Sequence, residues 1–565
     1  MGSLVQVAFH GRAVRGWVLG PAADAPARIL AVKKAVSPTR FFTPASLELL
    51  RWVGARYVAP LAAVIARSVP PRVASEEQRP PAVGMLGPSE ARTPALDGSL
   101  AGPVGTYRGG TALLDSLQGG PGGGFVLRPA PEEEVEAAVY LVASTLAAGR
   151  RALVLVPEAA PVPATAAAVV SAFGHRACLF LGGDRRSRFR LWLDVQAGRY
   201  DVVVGTRPAI FSPLEQLGLV YVTRESHAAH REDRAPYYHV RDVALARARL
   251  ESATCVLSAL CPSSEAAALG LPQVSPALKR WPPVEVVKPG PEGRAPRLVR
   301  ALKTARRGFL YAPLPGAGLA QVCRACGEPA ACAACGGALR SEEGKVRCVV
   351  CEAPGRCRAC GASNFGIRPG GEERVESWAS RVAGAKVRRA SVARLPGDGE
   401  VLVGGADDVR DLGPAALDLV GILDADLAER RAGLASRERS LATWFEAAGW
   451  ARPAGRVIVQ ASRAGDPAVQ ALVRGNPERF HEDEARRRSE AGFPVGAPVF
   501  RVAGDASALE RIRALDSITL LVSGSAPHVV CLLALDLRDV DAFGATMREL
   551  AAAGAVERVE AEPHL

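Results

Sequence analysis

Four Cys-x-x-Cys pairs lie within 38 residues of this 565-residue chain, and they constrain its fold more than any other feature. The pairs, separated by five, twelve and five residues, are Cys323/Cys326, Cys332/Cys335, Cys348/Cys351 and Cys357/Cys360. Two such pairs supply the four thiolates of a tetrahedral Zn²⁺ site. Disulfides would need an oxidising compartment, and the sequence shows no signal-peptide pattern that would direct the chain to one. A redox site would need only one Cys-x-x-Cys pair. The spacing therefore predicts two zinc ions per chain.

The pairs can combine in two ways. In a nested arrangement an inner zinc lies at the base of a hairpin over residues 334–349, with Cys332, Cys335, Cys348 and Cys351 as its ligands. The outer zinc is then held by Cys323, Cys326, Cys357 and Cys360. In a sequential arrangement neighbouring pairs combine across the five-residue links. The symmetric spacing favours nesting, and in either case four thiolates leave no open position for water or substrate, so both sites are structural.

Composition limits the remaining choices. At ~150 residues per domain, 565 residues predict roughly four domains, and 48% hydrophobic residues suffice for globular cores. Lys and Arg outnumber Asp and Glu by 70 to 58, a net charge of +12. This excess indicates a polyanionic partner, most simply nucleic acid. Because no apolar run reaches the ~18 residues that span a bilayer, we expect a soluble, cytoplasmic protein with no membrane partner.

Short apolar runs that alternate with helical stretches predict two α/β lobes, each with a parallel sheet covered by helices. The predicted strands are 125–128, 151–157, 201–206, 219–223 and 254–259 in lobe 1, then 308–312, 386–390, 400–404, 417–423 and 456–460 in lobe 2. The predicted units are a β-rich unit (1–36), a winged-helix-like segment (37–73), a linker (74–124), lobe 1 (125–275), lobe 2 with the cysteine module 323–360 inserted (276–490) and an α+β domain (491–565).

Several motifs resemble the PriA family of replication restart proteins, which are superfamily-2 helicases with two RecA-like lobes. These are VVGTRPAIFSPL at 203–214, YHVRDVA at 238–244, ERVE at 373–376, GILDADL at 421–427 and RER at 437–439. Residues 43–71 resemble the winged-helix segment of the family, and the eight cysteines match its nested zinc sites. Family members usually have further strands before the position that corresponds to residue 4, so we expect the N-terminal unit to be truncated.

The resemblance implies a DNA-binding protein that recognises abandoned forks and single-/double-strand junctions. It implies that the N-terminal β unit, the winged-helix segment and the lobes bind DNA. It also implies that the zinc-ribbon-type module presents a surface to primosome proteins. Reloading of the replicative helicase is the expected outcome.

The motor motifs of that family are degenerate here. The strand at 125–128 runs into Pro129-Ala130-Pro131 and Glu132-Glu133-Glu134, where a phosphate loop would end in Gly-Lys-Ser/Thr. Only Glu225 remains of the acidic box, at 223–226, and a further motif, at 258–263, has also diverged. Trp450 and Pro453 stand in the places of the arginines that neutralise transition-state charge. We therefore predict no catalytic residues and no bound ATP. The alternatives are an active ATP-dependent 3′→5′ helicase and a generic zinc-ribbon nucleic-acid binder.

Other residues have both a functional and a structural interpretation. His227 and His230 with Glu225 have metal-site spacing, but they lie in a polar loop without a third partner. Tyr237, Tyr238 and His239 correspond to a DNA-sensing aromatic loop of the family, or they pack the lobe. The basic clusters, either phosphate contacts or solvated helix faces, are Arg185, Arg186 and Arg188, and Arg486, Arg487 and Arg488. The isolated cysteines, predicted to be small buried apolar residues, are Cys178, Cys255, Cys261 and Cys531.

Overall fold

The computed structural model describes most of the chain. The described residues are 1–22, 29, 31–79, 102–290, 294–313, 318–328, 330–334, 339–342, 345–348, 353–368, 371–390, 394–430, 433–515, 518–525 and 528–563. Within them five β-sheets form, two of them wholly parallel and three antiparallel.

The N-terminal unit is a three-stranded antiparallel sheet followed by helices. Its strands, in the order β2-β1-β3, are β1 (Ser3–Phe9), β2 (Arg12–Trp17) and β3 (Lys34–Arg40). Its helices are α1 (Pro44–Arg56), α2 (Leu61–Ser68) and α3 (Ala74–Glu77). The predicted helix start is confirmed, because the Thr43 side chain caps α1 and Pro44 lies in its first turn. Strand β3 spans the predicted boundary at residue 36.

Lobe 1 is a seven-stranded parallel sheet with the strand order β10-β4-β9-β8-β5-β7-β6. The strands are β4 (Gly124–Leu127), β5 (Arg151–Leu155), β6 (Ala177–Phe180), β7 (Val202–Gly205), β8 (Leu217–Val222), β9 (Thr254–Ser258) and β10 (Gln273–Val274). The helices are α4 (Gly110–Leu117), α5 (Glu134–Ala147), α6 (Ala164–Phe173), α7 (Arg185–Gln196), α8 (Val240–Leu250) and α9 (Ser264–Ala268). Every residue of β7, β8 and β9 is buried, as expected for central strands with helices on both faces.

The structure differs from the linker prediction for residues 74–124. Helix α4 belongs to lobe 1, because Leu113 and Leu117 are buried in the same core as Leu127 and Leu141. Gly124 is already part of β4, and a Cβ on Gly122 would meet the Ala253 carbonyl oxygen at 2.5 Å. The glycine run therefore permits close packing, which composition cannot distinguish from flexibility. The predicted linker residues 80–101 lie outside the described residues.

Lobe 2 begins with β11 (Val284–Val287), α10 (Pro296–Thr304) and β12 (Arg307–Tyr311). The chain then forms an antiparallel module with the order β15-β14-β13-β16: β13 (Gly318–Cys323), β14 (Leu339–Glu342), β15 (Lys345–Cys348) and β16 (Phe365–Arg368). It returns with α11 (Gly371–Val382), β17 (Lys386–Arg389), β18 (Glu400–Gly404), β19 (Leu417–Ile422), α12 (Ser436–Gly449), β20 (Ala451–Gln460), α13 (Pro467–Arg474) and α14 (Glu478–Glu490). The parallel sheet has the order β11-β20-β19-β12-β18-β17.

A four-stranded antiparallel sheet in the order β22-β23-β21-β24 forms the C-terminal unit. Its elements are β21 (Val499–Gly504), α15 (Ala506–Arg513), β22 (Thr519–Ser525), β23 (His528–Ala534), α16 (Val540–Ala552) and β24 (Val556–Ala561). The predicted fold class is confirmed, with two parallel-sheet lobes, a module inserted in the second and smaller units at both ends. Among the described helices, none is long and apolar enough to cross a membrane.

Candidate functional site

The structure brings Cys323, Cys326, Cys357 and Cys360 together. Their four sulfur atoms all lie within 4.8 Å of one another, and this is the set that the nested arrangement requires. Cys323 ends β13, and the backbone of Cys357 bridges that of Cys332, so two arms of the module meet here. Within the part of the chain that is described, this is the one group of sulfur, histidine and carboxylate ligands close enough to hold a metal ion.

Both outer pairs form the same tight turn. The Gly327 N–H donates to the Cys323 carbonyl at 2.9 Å, and the Gly361 N–H donates to the Cys357 carbonyl at 2.8 Å. Both glycines have a positive φ, 77° and 73°, which non-glycine residues rarely adopt. The turns therefore depend on the glycine that follows each of these two pairs.

The distances fit a thiolate metal site and not a disulfide. The Sγ atoms of Cys323 and Cys360 lie 3.6 Å apart, and those of Cys326 and Cys357 lie 3.7 Å apart. Four sulfurs at ~2.3 Å from one tetrahedral Zn²⁺ would be ~3.8 Å apart, whereas bonded sulfurs would be ~2.05 Å apart. Desolvation raises the pKa of the Cys323 thiol, but backbone N–H groups of Cys326 and Ala325 help to bring it down to about 7. The thiolate, the form that binds metal, is thereby favoured at Cys323. At Cys326 a backbone hydrogen bond at Glu328 lowers the pKa, but hydrogen bonds with the neighbouring thiols raise it to about 12.

The inner set is described in part. Cys332 and Cys348 are buried in the small core of the module with Leu339 and Phe365. Cys335 and Cys351 lie outside the described residues. Strands β14 and β15 pair antiparallel, as the predicted hairpin requires, and Cys348 is the last residue of β15. Because the described core holds so few apolar side chains, a bound metal ion would add substantially to its stability.

The site of the degenerate phosphate loop is closed by side chains. Arg280, from the segment that joins the lobes, forms ion pairs with Glu132, at 2.8 Å, and with Glu133. The Tyr107 hydroxyl donates to Glu133 at 2.6 Å and accepts from the Ala130 N–H at 3.0 Å. The N-terminal end of α5, where a triphosphate would bind, is thus already neutralised by the protein itself.

Beside the start of α5, the space between the lobes is too small for a nucleotide in this structure. The cavity that Glu134, Leu260, Glu446 and Trp450 line together has a volume of about 20 Å³, whereas ligand pockets typically measure ~300–1,000 Å³. A Cβ on Gly449 would meet Leu260 at 2.8 Å, so the lobes are in close contact. The residues present do not fit ATP.

Glu225, the carboxylate that remains of the acidic box, has no exposed surface. It forms an ion pair with Arg241 at 3.1 Å and accepts hydrogen bonds from the Ser263 N–H and hydroxyl at 2.9 and 2.7 Å. With all its acceptors engaged and no access to solvent, Glu225 stabilises the lobe and cannot hold a hydrated Mg²⁺.

The two histidines of the same loop are structural. His227 Nδ1 accepts from the Ala229 N–H, and His230 Nε2 donates to the Thr223 carbonyl at 2.7 Å. Burial lowers the pKa of His227 to about 2 and that of His230 to about 4, so both rings are neutral. Together with Glu225 they do not form a metal site in the described part of the chain.

The aromatic loop packs inside the protein. Tyr237 and Tyr238 are buried, and the guanidinium groups of Arg231 and Arg558 lie 5.8 and 5.6 Å from the centre of the Tyr237 ring. His239 caps α8 by accepting from the Arg241 N–H. In this structure the aromatic loop therefore packs the lobe, and its side chains connect lobe 1 to β24 of the C-terminal unit.

The two basic clusters bind the protein's own segments. Arg185 donates to the Arg72 carbonyl, and Arg186 pairs with Glu76 at 2.7 Å, which fastens α3 to α7. In α14, three successive arginines pair with carboxylates: Arg486 with Asp483, Arg487 with Glu484 and Arg488 with Glu265. Arg186 and the three arginines of α14 are therefore already paired with carboxylates, which makes them poor candidates for phosphate contacts. The isolated cysteines are buried as predicted, and burial raises the pKa of Cys178 to about 12.

A basic face that sequence reasoning missed lies on the N-terminal sheet. Arg15 in β2 and Lys34 in β3 both lie opposite Gln6 in β1, so the three side chains share one face. Both cations are exposed. The ring of Phe9, at the end of β1, is 60% exposed. The sequence does show basic residues in short strands of alternating polarity. Which of them share a face can be told only when the pairing register of the strands is known.

Comparison with known proteins gives one family and several relatives. Residues 1–70 match the family model described as "3'DNA-binding domain (3'BD)" of PriA. The chain is 28% identical over 558 residues to a probable replication restart protein PriA of Mycobacterium tuberculosis, with 89% of this chain and 82% of the relative covered. It is 27% identical over 542 residues to the replication restart protein PriA of Treponema pallidum, with 87% and 81% covered.

Among solved structures, RecG bound to a three-way DNA junction aligns with 66% of this chain and 45% of its own. The identity is 13% and the TM-score is 0.37, a likeness too slight to support an argument. The family match at the N-terminus and the relatives that extend over most of the chain agree with each other. Together these matches support a replication restart protein similar to PriA over most of the chain.

Proposed function

We propose that this protein binds DNA at abandoned replication forks and promotes reloading of the replicative helicase, without unwinding DNA itself. The observation that carries the proposal is the match of residues 1–70 to a 3' DNA-binding domain. Relatives described as replication restart proteins match more than four fifths of their own length, which supports the same role for the whole chain. Such a role is performed on cytoplasmic DNA.

The N-terminal sheet supplies a suitable surface. Arg15 and Lys34 share one face and form no ion pair with any described carboxylate. Cations of this kind bind phosphates, whereas an exposed ring such as Phe9 can stack on an unpaired base. A junction offers both phosphates and unpaired bases, and the N-terminal sheet presents a group for each, with the two cations on one face and Phe9 on the other.

The cysteine module has a structural and a recognition role in this proposal. We assign two Zn²⁺ ions, one to the outer cysteines and one to Cys332, Cys335, Cys348 and Cys351. Because four thiolates leave no open coordination position, neither zinc takes part in chemistry. The module is an inserted unit on lobe 2, and we assign its surface to primosome partners.

The lack of unwinding follows from the closed cleft. Glu132 and Glu133 occupy the start of α5 and pair with Arg280, Glu225 pairs with Arg241, and the cavity beside Trp450 has a volume of about 20 Å³. A motor must bind and release a nucleotide between its lobes. These contacts favour a DNA-binding scaffold over the alternative of an active helicase.

Fluorescence anisotropy tests the DNA role. The labelled substrates are a fork with a recessed 3′ end and a linear duplex of equal length. Wild-type protein should prefer the fork, and R15A/K34A should weaken fork binding and reduce the slope of log K against log salt by ~2. The control R511A/R538A removes two exposed arginines of the C-terminal unit and should bind as wild type. Equal affinity for fork and duplex would instead support a generic binder.

A pulldown tests the partner role. Purified replicative helicase and primosome proteins are incubated with wild-type protein and with the variant C323S/C326S. The variant should lose partner capture and keep fork binding, because the module and the N-terminal sheet are separate units. Unchanged capture would contradict the assignment of the partner surface to the module.

A further inference from the structure

The position after β8, where a motor of this family would hold an acidic pair, is occupied by Arg224. Its side chain is buried, and its Nη2 donates to the Val409 carbonyl of lobe 2 at 2.8 Å. Its guanidinium also pairs with Glu158 of lobe 1 at 3.5 Å and with Glu446 of α12 at 3.3 Å. One arginine of lobe 1 therefore binds a backbone oxygen and a carboxylate of lobe 2.

The neighbouring segment of lobe 2 caps a helix of lobe 1. Helix α6 has Pro163 at its N-cap, without a side-chain cap of its own. Asp411 supplies the missing acceptors, because its carboxylate accepts from the Thr165 N–H at 3.0 Å and its carbonyl accepts from the Ala164 N–H at 3.0 Å. A carboxylate at a helix N-terminus is also favoured by the helix dipole. This cap forms only while the lobes are together.

Arg410, beside that cap, donates to the Ala160 carbonyl of lobe 1 at 2.7 Å. Glu134 of α5 lies in the same acidic surroundings, and burial together with Glu446 and Asp411 raises its pKa. Arg224 is therefore the buried cation that several carboxylates of both lobes share. Without it these carboxylates would repel one another in a site that excludes water.

We propose that Arg224 and Asp411 form a permanent latch, which replaces nucleotide in holding the two lobes together in one arrangement. In a motor, ATP closes the cleft and its release opens it. Here the closing contacts are made by the protein's own side chains and backbone, so they need no bound ligand to form. The protein would thus present its DNA-binding and partner surfaces at a fixed relative position, whatever the nucleotide level.

Hydrogen exchange measured by mass spectrometry tests the latch in the full chain. The segments to follow are 158–166 of lobe 1 and 406–416 of lobe 2, with the buried strands β5 and β19 as internal references. Wild-type exchange should be the same with and without Mg-ATP. In R224M both segments should exchange at least ~tenfold faster while the reference strands stay protected, because the shared cation is lost.

A second variant keeps the test informative if R224M does not fold. D411A leaves Arg224 in place and should accelerate exchange at the start of α6, around Thr165. The control R486Q removes an exposed arginine that pairs within α14, and it should change neither segment. Protection of 158–166 that shifts when Mg-ATP is added to wild type, or that is unaltered in both latch variants, would overturn the proposal.

Discussion

Arg241 lies 3.1 Å from Glu225 and turns the last carboxylate of the acidic box into a structural residue. The guanidinium of Arg241 also pairs with Asp242 at 3.0 Å, and Asp242 accepts a hydrogen bond from the hydroxyl of Tyr57, which follows α1. Arg56, next along α1, pairs with Glu562 near the C-terminus at 3.3 Å. A continuous set of charges therefore connects the former catalytic position to the N-terminal helices and to the C-terminal unit.

Replacing Glu225 with Ala should destabilise the fold. The change leaves the buried Arg241 short of one partner and the Ser263 hydroxyl without its acceptor, and breaking a buried pair costs about 3–5 kcal/mol. The thermal unfolding midpoint should fall by several degrees in calorimetry. E549A removes an exposed carboxylate that pairs with Arg511, so its effect should be within about 0.5 kcal/mol. Equal shifts in the two variants would contradict the structural role of Glu225.

The cysteine module should contain two zinc ions per chain. Metal analysis of wild-type protein should give a ratio near two, and either C348S or C360S should reduce it to one because each removes a ligand from a different site. Circular dichroism of the lobes should change little, since they have their own cores. C531A, which removes a buried thiol far from the module, should keep both ions. A ratio of one or zero in wild type would exclude the paired sites.

The purified protein should show no DNA-stimulated ATP hydrolysis and no strand separation. A lysine on the phosphates, a carboxylate pair and an arginine finger act together in such motors, and loss of the finger alone can cost ~10³ in rate or more. A graft of Gly-Lys-Thr at 129–131 should restore nothing, because the cleft stays closed by Arg224 and Trp450. Phosphate release with fork DNA measures this. Robust hydrolysis by wild type, lost in E225A, would refute the prediction.

Stability should fall in mild acid through His230. Burial lowers its folded-state pKa from 6.5 to about 4, so the unfolded chain binds more protons between these pH values. The contribution is fully present above pH ~6.5 and is lost as the pH falls through that window. H230Q cannot take up a proton, and its unfolding midpoint should depend less on pH between 6.5 and 4 than that of wild type. H175Q, at an exposed loop position, is the control. Identical pH profiles of H230Q and wild type would contradict the prediction.

Local patterns were sufficient for much of the architecture. The Cys-x-x-Cys spacing predicted a module whose outer sulfurs lie together, and strands such as β18 appear at the predicted residues because buried parallel strands are short apolar runs. The loss of each motor motif could likewise be recognised from the sequence alone. Short elements were missed, notably β6, β10 and α4, since two to eight residues with glycine or proline nearby carry little periodic signal.

The pairings of charged side chains, by contrast, were decided only by the tertiary structure. Sequence shows that Arg224 replaces an acid, but its partner Glu446 is more than 200 residues away and comes within reach only when the lobes meet. For the same reason the arginines of α7 and α14 looked available for DNA, although Glu76 and Glu265 engage them in the folded chain. Periodicity records which face of an element is buried. It does not record which distant element covers that face, and that contact determined whether each charge serves a ligand or the fold.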